Sequence, residues 1–108
     1  MEGIMQTRLI NNVSKETIGV LKRRFLNKEL ITYIDTHAVD AVGLVQGTVI
    51  EIICASDIAS KASNVKISEI RGNCPQSIMS IGIIGDVSAV KSALRSVNQG
   101  IPKTVFKD

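Results

Sequence analysis

At Gly85-Asp86 the apolar residues of this chain change their spacing, and that change constrains the fold more than any other feature. Before it, Ile78 to Ile84 is a nearly continuous apolar run of strand length, with Gly82 inside it permitting close backbone approach. After it, Val87, Val90, Leu94 and Val97 recur at i, i+3, i+7 and i+10, the stripe of a helix with one buried face. Asp86 is placed to cap that helix, and Gly100 with Pro102 to end it.

The same switch occurs once earlier. Val39 to Val45 reads as a short buried strand that closes at Gln46-Gly47. Thr48 then opens a helix, with Glu51 three residues on in capping-box spacing. That helix is predicted to run to about Ser63, with Ile50, Ile53, Cys54 and Ile58 on its buried side. Val65, Ile67 and Ile70 flank Lys66 and Ser68 in the period-2 pattern of a half-buried strand. Strand, helix, strand, strand, helix makes up most of an α+β, ferredoxin-like split βαβ.

This fold requires a fourth strand, and Ile101–Asp108 offers little apolar material for one. The front of the chain has two β-like segments, Thr7–Val13 and Thr17–Arg24, followed by a short helix near Lys28–Ile34. The economical reading is a circular permutation in which Thr17–Arg24 fills the missing slot. A helical Thr17–Arg24 is the open alternative.

At 108 residues the chain is long enough for one domain with one core. Its 44% hydrophobic and 21% charged residues argue against disorder. The excess of 13 Lys+Arg over 10 Asp+Glu is too slight and too scattered for a nucleic-acid footprint. Lys22-Arg23-Arg24 is the one basic cluster, better read as a charged edge beside a subunit contact. No apolar run approaches the ~18 residues of a membrane span, and Met1-Glu2-Gly3 does not open a signal peptide. A cytosolic, reducing setting is expected, without a Cys54–Cys74 disulfide.

Between the two later strands lies Arg71-Gly72-Asn73-Cys74-Pro75-Gln76, a tight loop carrying one thiol at its tip. Pro75 biases Cys74 toward extended geometry, while Gly72 permits positive φ. One thiol is too few for a metal cluster, which normally takes about four thiolates. It also lacks a nearby base: His37, the single histidine, reads as a loop residue, and Asp35 and Asp40 as turn and boundary residues. Cys54, in an apolar helical pattern, reads as a small packing residue. For Cys74 the alternatives are an ordinary turn with an incidental cysteine, a single-cysteine redox enzyme, or a ligand shared among several copies.

Three blocks then carry a family likeness. Ala41-Val42-Gly43-Leu44-Val45, Lys61-Ala62-Ser63-Asn64-Val65 and Gly85-Asp86-Val87-Ser88-Ala89-Val90 resemble, in order and spacing, the signature blocks of bacterial microcompartment (BMC-domain) shell proteins. The likeness covers about residues 39–97. The front of the chain, with Arg8-Leu9-Ile10 in its first strand, resembles the circularly permuted subgroup. Gly72-Asn73-Cys74-Pro75 is similar to the Gly-x-Cys-Pro loop of the U-type shell proteins of glycyl-radical propanediol microcompartments.

The resemblance implies a single BMC shell domain over 1–108. Within it, 1–15 would be an N-terminal pore-capping strand, 16–100 the permuted core and 101–108 a tail. It implies a non-enzymatic, homohexameric tile packed laterally against other shell proteins in the microcompartment shell, with Lys61 at the hexamer–hexamer edge. It also implies a pore loop of Arg71, Gly72, Asn73, Pro75 and Gln76 around Cys74, whose copies bind a 4Fe–4S cluster shared between subunits, with electron transfer across the shell as one role. Arg71 would then offset the cluster's negative charge. Ordinary shell hexamers carry a smaller Gly/Ser-rich loop there, so this one argues against metabolite transport. The competing function for such a fold is a small-ligand-binding regulatory domain.

Overall fold

Each helix begins where a side chain satisfies backbone N–H groups that the first turn leaves without partners. In this computed structural model, which describes residues 5–72 and 77–108, the elements run in order as follows. Strand β1 (Gln6–Asn11) precedes helices α1 (Lys15–Arg24) and α2 (Lys28–Thr36). Strand β2 (Ala41–Thr48), helix α3 (Val49–Ala62), strands β3 (Lys66–Ile70) and β4 (Ile78–Gly85) and helix α4 (Val87–Gly100) follow, and a 3-10 turn, Ile101–Thr104, ends the series. Ser14 caps α1 through the Thr17 N–H, and Asn27 caps α2 through those of Glu29 and Leu30. The predicted box at α3 is complete: Glu51 N–H donates to Thr48 Oγ1 at 3.2 Å, and Thr48 N–H to Glu51 Oε1 at 2.9 Å. Asp86 accepts from the Ala89 N–H at 2.8 Å, as the sequence indicates.

The four strands form one antiparallel sheet in the order β1-β2-β4-β3. With β2, α3, β3, β4 and α4 as the βαββα unit, this is the ferredoxin-like order, and β1 holds the slot that a fourth strand would otherwise fill from the far end. The expectation that Thr17–Arg24 fills that slot is wrong, because the segment lies within α1. Its apolar residues explain why: Ile18, Leu21 and Phe25 recur at i, i+3 and i+7 and pack on one side, behind a serine cap. The slot goes instead to Gln6–Asn11, within the segment 1–15 that the family likeness assigns to a pore cap. The short helix expected near Lys28–Ile34 is α2.

Helices cover both faces of the sheet. On one, α3 and α4 bury Ile52, Ala55, Ala59, Val90, Ala93 and Val97 against Val45, Ile81 and Ile83. On the other, α1 and α2 bury Leu21, Phe25, Leu30 and Ile34 against Val42 and Ile84. Phe25 lies over Gly82 so closely that a Cβ there would sit 2.6 Å from its ring. The close approach expected of Gly82 is therefore made by an aromatic ring.

The buried face of α3 needs correction. Ile50 and Ile53 are 75% and 58% exposed, while Ile52, Ala55 and Ala59 are fully buried. The first two turns of α3 are apolar on nearly every side, so spacing alone allows two phases. The sheet selects the phase whose alanines let the helix sit close.

Candidate functional site

Both stems of the β3–β4 connection stand at the end of the sheet where β2 stops and α3 starts. Asn73, Cys74, Pro75 and Gln76, which are the thiol and most of the predicted pore loop, lie outside the described residues. Arg71 and Arg24 clasp each other: Arg71 N–H donates to the Arg24 carbonyl at 2.7 Å, and Arg24 Nη1 returns to the Arg71 carbonyl at 3.0 Å. One residue earlier, Ile70 bridges Phe25. Among the described residues other than its own neighbours, none comes within 4 Å of where a Cβ on Gly72 would be. On the other stem, Ser77 turns the chain with φ 59°, and its carbonyl accepts the Val49 N–H at 3.1 Å. Both stems are thus tied to helix termini, the end of α1 and the start of α3.

Arg24 is a residue that sequence reasoning missed in this role. Lys22-Arg23-Arg24 forms the last turn of α1, where cations suit the helix dipole. Lys22 pairs with Asp35 of α2. No local pattern signals the Arg24–Arg71 clasp, which joins residues 47 apart in sequence.

The other candidates are dispersed. Lys61 is exposed at the end of α3 and pairs with Asp57 one turn back at 2.7 Å. Cys54 is a half-buried free thiol on α3. His37 caps the end of α2 and stacks on Tyr33, ring centroids 4.0 Å apart, with Lys66 Nζ 4.9 Å over the Tyr33 ring. These three residues help line a groove of about 630 Å³. Among the described residues no three His, Cys, Asp or Glu side chains converge as a metal site. No described helix is long and apolar enough to cross a membrane.

The BMC domain model matches residues 41–106 of this chain, from the start of β2 into the tail. The chain belongs to the BMC-domain family of microcompartment shell proteins.

Solved structures agree in sequence as well as shape. The chain is 34% identical to the GrpU microcompartment shell protein of Pectobacterium wasabiae, over 86% of this chain and 99% of that one, with a TM-score of 0.67. It is 30% identical to the GrpU shell protein of Clostridiales bacterium 1_7_47FAA, over 86% and 87%, with a TM-score of 0.63. The fused permuted hexameric shell protein MSM0275 of the RMM microcompartment is 15% identical over 90% of this chain and 45% of that one, with a TM-score of 0.67. That last likeness shows the fold alone. A search of curated protein sequences gave no significant match. This BMC-domain chain is thus a permuted shell protein, a structural component rather than an enzyme, and its place is the microcompartment shell.

Proposed function

We propose that six copies of this shell protein form a tile whose β3–β4 loops meet at the central axis, where Cys74 thiolates hold a 4Fe–4S cluster. The observation that supports it is the anchoring of both loop stems at the end of the sheet where β2 stops, Arg71 to the end of α1 and Ser77 to the start of α3. A single chain cannot supply the ligand set: one loop thiol falls short of about four, and the described residues add no further cluster of donors. Rotational symmetry supplies the rest, since a six-fold ring brings six equivalent thiols together. A cubane cluster takes four or fewer of them and breaks the six-fold symmetry locally.

The donor chemistry fits, because thiolate is the usual iron–sulfur ligand. A cluster there would supply one-electron exchange across the shell. This chain's part would be to hold the thiolates on stems fixed by Arg24 and Val49, and to offset their charge with Arg71. At the rim, Lys61 would make the lateral contact between tiles.

Protein purified without oxygen should be brown and carry iron and sulfide in equal amounts, with a solution mass of six subunits. Cys74→Ser should abolish the colour, and Cys54→Ser should keep it. A colourless wild type after anaerobic reconstitution would remove the cluster from the proposal and leave the tile standing.

A further inference from the structure

The helices leave part of one sheet face bare. On the side packed by α1 and α2, the cover ends at Gly82, where the Phe25 ring lies. The next cross-strand row toward the loop stems is Gln6, Gln46, Ser80 and Ile70. Together with Arg8 and Leu44, this row lines a groove of about 240 Å³. Leu44, Ile70 and Ser80 are half-buried, whereas Gln6, Arg8 and Gln46 are exposed.

Hydrogen bonding leaves this groove rich in donors. Arg8 Nη1 donates to the Thr7 carbonyl at 2.9 Å and Nη2 to Gln6 Oε1 at 3.3 Å. A guanidinium has no lone pair to offer, so the Gln6 amide turns its oxygen toward Arg8 and keeps its NH2 for another partner. Ser80 Oγ donates to Gln46 Oε1 at 3.2 Å and leaves the Gln46 NH2 in the same condition. Among the described residues neither NH2 group donates a hydrogen bond, and Arg8 takes part in no ion pair. No carboxylate lines the groove. Glu69 alternates onto the opposite face, in the row of Ile81, and Glu51 is committed to the Thr48 cap.

Surplus N–H donors, a permanent cation and apolar side chains beside them select a ligand that is anionic at one end and hydrocarbon at the other. We infer that this groove binds a short-chain monocarboxylate, its oxygens between the Arg8 guanidinium and the Gln6 and Gln46 NH2 groups, its chain on Leu44 and Ile70. Each Arg8 Nη carries a second hydrogen, so a carboxylate gains charge-assisted bonds without breaking those to Thr7 and Gln6. A neutral amide of the same length lacks that charge, and inorganic phosphate leaves the apolar side chains uncovered. The groove is smaller than the ~300–1,000 Å³ of sites for drug-sized ligands, which limits the chain to a few carbons. The site needs neither the ring nor the cluster proposed above.

Sodium butyrate titrated into the purified native assembly at constant ionic strength tests it by saturation-transfer difference NMR. Butyrate should bind saturably with a Kd of about 1–10 mM, with the strongest transfer at its methyl end. Butyramide should bind, and inorganic phosphate should compete, at least tenfold more weakly. Arg8→Gln should weaken butyrate binding at least tenfold, with an unchanged circular dichroism spectrum. Gln46→Glu sets a carboxylate in the groove at an exposed position and should abolish binding, a second test should Arg8→Gln fail to fold. Lys91→Gln, in the groove between β1 and α4, should bind like wild type. Wild type without saturable binding, or a folded Arg8→Gln or Gln46→Glu chain that binds like wild type, overturns the carboxylate site. Butyramide that binds as tightly as butyrate overturns it as well. Phosphate that displaces butyrate at equal concentration leaves an adventitious ion only, which overturns it too. None of these outcomes bears on subunit mass or iron content, the measurements on which the proposed function stands.

Discussion

Removing the Ser68 hydroxyl should loosen the link between the β3–β4 loop and the helices that hold it. Ser68 is 3% exposed and is the buried polar residue among those described. Its Oγ accepts the N–H groups of Leu26 at 3.0 Å and Asn27 at 2.9 Å, and donates to the Glu69 carbonyl at 2.8 Å. These bonds tie the α1–α2 junction to β3, a few residues from the Arg24–Arg71 clasp. In Ser68→Ala the Leu26 N–H keeps a second acceptor, the Glu69 carbonyl at 3.1 Å, but Asn27 N–H is left with none. Asn27 is half-buried, so its orphaned donor costs about 1 kcal/mol, the low end of the range for a fully buried group. That is a measurable share of the ~5–15 kcal/mol by which domains are stable.

Urea unfolding at one fixed protomer concentration measures the cost, since assembly adds its own mass-action term. The midpoint should fall with the slope unchanged, and amide exchange at Asn27 should accelerate more than exchange in α4. Ser80→Ala is the control. Its hydroxyl meets Gln46 Oε1 at 3.2 Å in an exposed setting, and the change should cost less than about 0.5 kcal/mol. A Ser68→Ala protein within 0.5 kcal/mol of wild type, with unaltered exchange at Asn27, would refute the reasoning.

Two neighbouring isoleucines on α3 should behave oppositely. Ile52→Ala removes a fully buried side chain and should cost roughly 2–5 kcal/mol in denaturant melts, whereas Ile53→Ala, at a 58% exposed position, should leave the protomer nearly unchanged. At Gly82, alanine forces the Phe25 ring aside and should cost about 1–3 kcal/mol; a Gly82→Ala melt indistinguishable from wild type would mean that the ring moves freely.

Much of the architecture was legible from short-range patterns. The caps at Thr48 and Asp86, the box with Glu51 and the α4 stripe of Val90, Leu94 and Val97 each follow from residues within a few turns of one another. The helical spacing of Ile18, Leu21 and Phe25 is equally local, but Thr17–Arg24 is also β-like in composition, so the sequence leaves strand and helix both open there. Of the loop, its position between β3 and β4 was legible. Its clasp to Arg24 was not, because nothing near Arg71 encodes a partner 47 residues away.

The sequence by itself determined the caps of α3 and α4, the βαββα order from β2 to α4, and the blocks that place the chain among BMC-domain shell proteins. Caps, breakers and apolar periods act locally, and their free energies are set before distant segments meet. Only the tertiary structure decided that Gln6–Asn11 takes the edge beside β2, that α3 turns Ile52 inward and Ile53 outward, and that Arg24 clasps Arg71. Those choices depend on which surfaces bury best together across the whole chain, and no local window contains both sides of that comparison.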